Sequence, residues 1–207
     1  MNIAIVGIHT GIGKTICSAI LCEALNADYW KPVQAGELEN SDSITVRQLC
    51  TSQITIHPER YRLNIPASPH YSAAMEGITI KKEDFDLPQT SNHLIIETAG
   101  GVMSPLAKEF LNIDLVEKLN CPVIVISENY LGSINHTLLT LQVLKNRNIN
   151  IVGIIFNGDK NQASEEFILS YFNVPFLFSV PRFENLNSDS IALFAPSVSP
   201  IMKELCE

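Results

Sequence analysis

The strongest constraint on this chain sits at its start. The apolar run Asn2-Ile3-Ala4-Ile5-Val6 leads directly into Gly7-Ile8-His9-Thr10-Gly11-Ile12-Gly13-Lys14-Thr15, and an amphipathic helical pattern follows at once. A strand, a glycine loop and a helix N-terminus in this order aim backbone N–H groups and the positive end of a helix dipole at phosphates. Lys14 adds a mobile cation, and the Thr15 hydroxyl can ligate Mg²⁺. The loop departs from the strict G-x-x-x-x-G-K-[ST] spacing, which would need glycine at Ile8. An ordinary glycine turn is the bland alternative, but Gly-Lys-Thr at a strand-to-helix junction argues against it. Gly11, Ile12, Gly13, Lys14, Thr15 and Ile16 are therefore the expected nucleoside triphosphate contacts.

The rest of the chain alternates β-rich runs with helical patterns. Strands are expected at 2–6, 29–33, 93–97, 122–127, 150–156 and 175–180, and helical periodicity runs through Ile16, Ile20, Ala24 and through Ile134, Leu138, Leu141, Leu144. The strands are nearly all apolar, as expected where helices cover both faces of a parallel sheet. The expected fold is α/β, a mostly parallel β-sheet with helices on both faces, of the P-loop NTPase type. No repeat or Gly/Ser-rich linker divides residues 1–207, so one domain is expected. Residues 61–92, with Pro66, Pro69 and Pro88, read as an irregular insertion over the sheet's edge.

Further groups must complete a phosphate site. Glu97 ends a strand and precedes Thr98-Ala99-Gly100-Gly101, so it should face the phosphates, because ligands in open parallel sheets bind at the carboxyl ends of the strands. Asp42 either ligates the metal or caps a helix starting near Ser43. Lys31 sits inside the second strand candidate, near its carboxyl end. A lysine on a covered strand is expensive without an anion, so a phosphate or substrate contact is favoured over an edge residue.

These residues also carry a family resemblance. The phosphate loop, Lys31-Pro32-Val33-Gln34-Ala35-Gly36, Asn40-Ser41-Asp42, Ser68-Pro69-His70, Glu97-Thr98-Ala99-Gly100-Gly101, Leu131-Gly132-Ser133-Ile134-Asn135-His136 and Asn157 occur in the order seen in dethiobiotin synthetases. The resemblance spans about residues 1–181. It implies an ATP-dependent ligase of biotin biosynthesis, a homodimer that makes dethiobiotin from 7,8-diaminononanoate, CO2 and ATP through a carbamate and a carbamic-phosphoric anhydride; the cytoplasmic location expected comes instead from residues 1–6, which show no basic region and no small-residue cleavage site. It also implies roles for individual residues. Lys14, Lys31 and Thr10 would be catalytic, and Thr15, Asp42 and Glu97 would hold Mg²⁺. Thr10, Lys31, Ala35, Gly100, Leu131, Gly132, Ser133 and Asn135 would bind substrate, the last four reaching it from the partner subunit. Asn157 would read the adenine edge with Pro181 bordering the base, although a turn role for Asn157 before Gly158 stays open. His136 reads as structural.

The chain departs from the family at three places: His9 stands for a usual aspartate, Ala35 for a common serine that contacts substrate, and Thr98 for a glycine. Composition excludes other classes. The formal charge of −8 disfavours a nucleic-acid or anionic-membrane binder. Apolar runs are strand-sized, short of the roughly 20 residues that cross a bilayer. The five cysteines, Cys17, Cys22, Cys50, Cys121 and Cys206, are odd in number and lack C-x-x-C spacing, so reduced thiols filling the core are expected. Two rival readings share the loop. A partition-type ATPase switch, resembling this chain in the loop, would carry an extra lysine where His9 stands, and its membrane-targeting members a basic terminal helix in place of the acidic end here. A small-molecule kinase would need an arginine-rich lid, and only Arg60, Arg62 and Arg182 flank suitable loops.

Overall fold

The computed structural model describes residues 1–206; Glu207 and the thiol of Cys206 lie outside the described part. In chain order the elements are β1 (Asn2–Gly7), α1 (Lys14–Leu25), β2 (Asp28–Trp30), β3 (Val33–Ala35), α2 (Asp42–Leu49), β4 (Ile56–His57), β5 (Tyr61–Leu63) and α3 (Pro69–Met75). There follow β6 (Leu94–Gly101), β7 (Pro105–Ala107), β8 (Phe110–Leu111), α4 (Asn112–Leu119), β9 (Val123–Glu128), α5 (Ser133–Asn146), β10 (Ile151–Asn157), α6 (Gln162–Phe172), β11 (Phe176–Val180) and α7 (Ser188–Cys206).

The main sheet has seven strands in the order β11-β10-β9-β1-β6-β2-β4, all parallel. Such a sheet needs crossover connections, and right-handed crossovers send α1 and α2 to one face and α4, α5 and α6 to the other. The last helix, α7, returns to pack on α1. The central strands are wholly buried, with Ile3, Ala4, Ile5 and Val6 of β1 and Val123, Ile124, Val125 and Ile126 of β9 all at 0% exposure, so the core lies on both sides of β1. Strand order reverses beside β1, which opens the crevice that receives the phosphate loop.

The chain departs from the sequence expectation in two places. The strand expected at 29–33 is two: β2 joins the main sheet, whereas β3 pairs with β5 in a separate two-stranded sheet. Pro32 lacks the N–H that a continued ladder would need, so the chain leaves the main sheet at Lys31. Residues 61–92 are more ordered than an irregular insertion, contributing β5 and α3, and α3 packs on β3, β5 and β7. The C-terminal segment forms the 19-residue α7 despite Pro196 and Pro200. Its stripe of Ile191, Ala195, Val198 and Met202 is buried, and the Ser199 hydroxyl donates to the Ala24 carbonyl oxygen of α1 at 3.0 Å. Cys17, Cys22 and Cys121 are buried and Cys50 is half-buried, all as free thiols. No helix among the described residues is long and apolar enough to cross a membrane.

Candidate active site

The loop between β1 and α1 is held open by two fixed points. Gly13 takes a left-handed φ of 84°, and a Cβ built there would meet Asn157 Nδ2 at 2.2 Å, so only glycine suits the position. Asn157, at the end of β10, donates through Nδ2 to the Ile12 carbonyl oxygen at 3.0 Å. Lys14 opens α1 and its Nζ donates to the His9 carbonyl oxygen at 3.2 Å, curling over the loop. Burial, together with repulsion from Lys31, lowers the Lys14 pKa to about 8 against the pull of Glu97.

A cavity of about 690 Å³ opens beside this loop. Thr10, Gly11, Gly13, Lys14, Thr15 and Ile16 line it from the loop side, Lys31, Ala35 and Asp42 from the β2 to α2 segment, and Glu97 and Gly100 from β6. These eleven expected site residues therefore share one space. Ile12 lies beneath the loop, fully buried.

The cavity floor is an ionic network. Lys31 Nζ lies 2.6 Å from Asp42 Oδ2 and 2.9 Å from Glu97 Oε1. The Thr15 hydroxyl donates to Asp42 Oδ1 at 2.7 Å and contacts Glu97 Oε1 at 3.0 Å. Burial alone would lower the Lys31 pKa, but Glu97 and Asp42 outweigh it and hold the ammonium above its ordinary value. Burial would raise Asp42, yet Lys31 and the Thr15 hydrogen bond keep its carboxyl below the usual range. Asp42 is not the cap: Ser41 is the N-cap of α2, accepting from the Ile44 amide, and the Asp42 carboxylate turns into the cavity. Gln34 fixes this turn, accepting from the Asp42 amide at 3.3 Å and donating to the Gly36 carbonyl oxygen at 3.0 Å.

Two side chains that the sequence reading passed over complete the network. The Ser18 and Tyr29 hydroxyls both donate to Glu97 Oε2, each at 3.0 Å. Ser18 lies three residues past Thr15, on the same helix face, which was the only sequence signal for it. The network offers a metal one hydroxyl and two carboxylates, all hard oxygen donors, which suits Mg²⁺. Among the described residues no group of three or more His, Cys, Asp or Glu gathers.

The remaining expected contacts lie apart. Leu131 is fully exposed at the tip before α5, with Gly132 and Asn135 also exposed, and none of Leu131, Gly132, Ser133 and Asn135 lines the cavity of their own chain. The Ser133 amide donates to the Tyr130 carbonyl oxygen, which leaves the Ile134 and Asn135 amides as open first-turn donors. Pro181 is exposed beside Arg182, whose guanidinium bridges Asp159 and Glu128. A second cavity of about 720 Å³, largely apolar, shares Thr10 and Ser104 with the first and runs along Val102, Leu139 and Val143. Of the family departures, Thr98 is buried with its hydroxyl on the Ile5 carbonyl oxygen at 3.0 Å, and His9 is exposed, edge-on to Tyr130. His136, also exposed, has Nδ1 2.7 Å from the Tyr130 hydroxyl.

A family model described as an AAA domain matches residues 1–190. The ATP-dependent dethiobiotin synthetase BioD of Cytophaga hutchinsonii is 48% identical over 92% of this chain and 93% of its own. That of Chlamydia pneumoniae is 44% identical over 94% of this chain and 87% of its own. The chain belongs to the dethiobiotin synthetase family. Among solved structures, a ParA family ATPase from Chlorobium tepidum superposes with a TM-score of 0.59 at 15% identity, covering 100% of this chain and 97% of its own. The septum site-determining protein MinD of Pyrococcus horikoshii, complexed with Mg-ADP, gives 0.60 at 14% identity over 100% of this chain and 95% of its own. These two likenesses are of fold, whereas the dethiobiotin synthetases match in sequence along nearly the whole chain.

Proposed function

We propose that this dethiobiotin synthetase, an ATP-dependent ligase, closes the ureido ring of dethiobiotin from 7,8-diaminononanoate, CO2 and ATP, with residues 1–207 acting as one unit in a cytoplasmic homodimer. The observation that carries the reading is the convergence of Lys14, Thr15, Lys31, Asp42 and Glu97 around one cavity, in a chain 48% identical to a named synthetase. One amine of the substrate captures CO2 as a carbamate. A carbamate oxygen attacks the γ-phosphorus as ADP leaves, and the second amine then attacks the carbamoyl carbon as phosphate leaves, closing the ring. The protein's part is positioning and electrostatics. Lys14 leaves the His9 carbonyl for the transferring phosphoryl group, Lys31 neutralises the carbamate, and Thr10 contacts it at the junction of the two cavities. Thr15, Asp42 and Glu97 would hold Mg²⁺, which when bound supplies charge compensation on the phosphates.

The apolar groove of Val102, Leu139 and Val143 suits the substrate's alkyl chain, and its carboxylate needs donors at the far end. The open amides before and within the first turn of α5 belong to that role on a partner subunit, which accounts for their distance from the cavity of their own chain. Asn157, tied to the loop through Ile12, and Pro181 border the base. The partition-type switch finds support only in the fold, and no site observation favours it.

The test is phosphate release from MgATP with diamine and bicarbonate each omitted in turn, and mass detection of product. Release that needs both, with dethiobiotin in equal amount, is the expected result. Hydrolysis indifferent to the diamine would leave a nucleotide site with a different substrate.

A further inference from the structure

The Glu97 carboxylate has two oxygens in different surroundings. Oε1 faces Thr15 and Lys31, both of which line the cavity. Oε2 faces the core, where it accepts from Ser18 Oγ and Tyr29 Oη, two residues with no exposure at all. A carboxylate oxygen has two lone-pair positions, and both positions of Oε2 are filled by neutral donors. Each donor is committed to it. The Tyr29 hydroxyl has no other hydrogen bond among the described residues, and Ser18, inside a helix, ordinarily has the carbonyl four residues back as its alternative partner. Turning the carboxylate so that both oxygens faced the cavity would break both bonds and strand a buried phenol.

We propose that Tyr29 and Ser18 determine ion specificity by holding Glu97 as a one-oxygen ligand, so that the site takes Mg²⁺ in preference to Ca²⁺. The inference rests on the reading of Thr15, Asp42 and Glu97 as the metal set. The chemical basis is a difference in coordination. Mg²⁺ takes near-octahedral geometry with short bonds, suited to single carboxylate oxygens, whereas Ca²⁺ takes six to eight oxygens at longer distance and profits from bidentate carboxylates. Neither Tyr29 nor Ser18 touches the cavity; they are positioning residues acting through Glu97.

The test measures ion binding, not turnover. Full-length protein with a non-hydrolysable ATP analogue is titrated with Mn²⁺, free Mn²⁺ is followed by electron paramagnetic resonance, and Mg²⁺ and Ca²⁺ are then used as competitors. In Tyr29→Phe and in Ser18→Ala the Ca²⁺ to Mg²⁺ affinity ratio should rise by about fivefold, the equilibrium factor of one net hydrogen bond, and by more in the double variant. An unchanged ratio in a double variant that melts cooperatively would overturn the inference while the metal site stands. Should Tyr29→Phe fail to fold, Ser18→Ala decides alone, since its change is one oxygen atom. Failure of the parent protein to bind Mn²⁺ with the nucleotide would remove the metal set itself, and the inference with it.

Discussion

Lys31 Nζ and Glu97 Oε1 lie 2.9 Å apart, with side chains 5% and 1% exposed, so a full ion pair is buried at the floor of the cavity. Removing one member of such a pair strands the other's charge, at roughly 3–5 kcal/mol. Lys31→Ala should therefore abolish turnover and lower Tm by roughly 10 °C while the protein still folds. Lys31→Met combined with Glu97→Gln should lose less stability than the two single changes summed, as calorimetry can check. Normal turnover by Lys31→Ala would take the residue out of the site.

Lys14 gives a pH dependence of unusual sign. Its pKa of about 8 in the folded protein lies below the 10.5 of the free side chain, because burial disfavours the ammonium. Between these values the unfolded chain binds more protons, so this group makes stability rise with pH through that window. Below about 8 the unfavourable contribution is fully present. ATP should restore the charge, so nucleotide binding at pH 8.5, a value inside the window, should take up protons. Titration calorimetry in buffers of different ionisation heat reads this directly, and Lys14→Met should abolish the uptake.

Gly13→Ala should raise the KM for ATP more than Asn157→Ala does. The alanine Cβ would meet Asn157 Nδ2 at 2.2 Å and sit at a φ of 84°, whereas Asn157→Ala leaves the loop backbone unstrained and removes its hydrogen bond to Ile12 and the contact with the base proposed for it. The double change should rescue Gly13→Ala only in part, since it relieves the overlap and leaves the backbone strain.

Ala35→Ser would return the hydroxyl usual in the family to a position lining the cavity. One added hydrogen bond should lower the KM for the diamine between about two- and tenfold with kcat little changed. A raised KM would show that the substrate does not approach this side of the cavity.

The legible parts of this fold were those with local signals. Strand, loop and helix at residues 2–25 are written in contiguous chemistry, and Lys31 and Glu97 stood out as polar residues within or ending apolar runs. The second strand was overextended because Tyr29 to Val33 is apolar enough to continue, and the effect of the Pro32 break on sheet membership is a property of tertiary pairing. Ser18 and Tyr29 were missed because a serine on a helix and a tyrosine on a strand look ordinary until Glu97, 79 and 68 residues away, is brought beside them. The periodicity of α7 was obscured by Pro196 and Pro200, although its buried stripe keeps helical spacing. The segment from Leu131 to Asn135 was read through family resemblance, and nothing in the chain's own packing draws it to the cavity.

The placement of β1 also bears on how the molecule is made. The strand that carries the phosphate loop pairs with β6, which begins at Leu94, and with β9, which begins at Val123. Vectorial synthesis thus delivers the nucleotide signature ahead of the strands that frame it and withholds its use, since the loop has no framework until both neighbours have emerged and docked. A nascent chain arrested before Leu94 lacks both strands that pair with β1, so the motif is present before the neighbours that hold it in place.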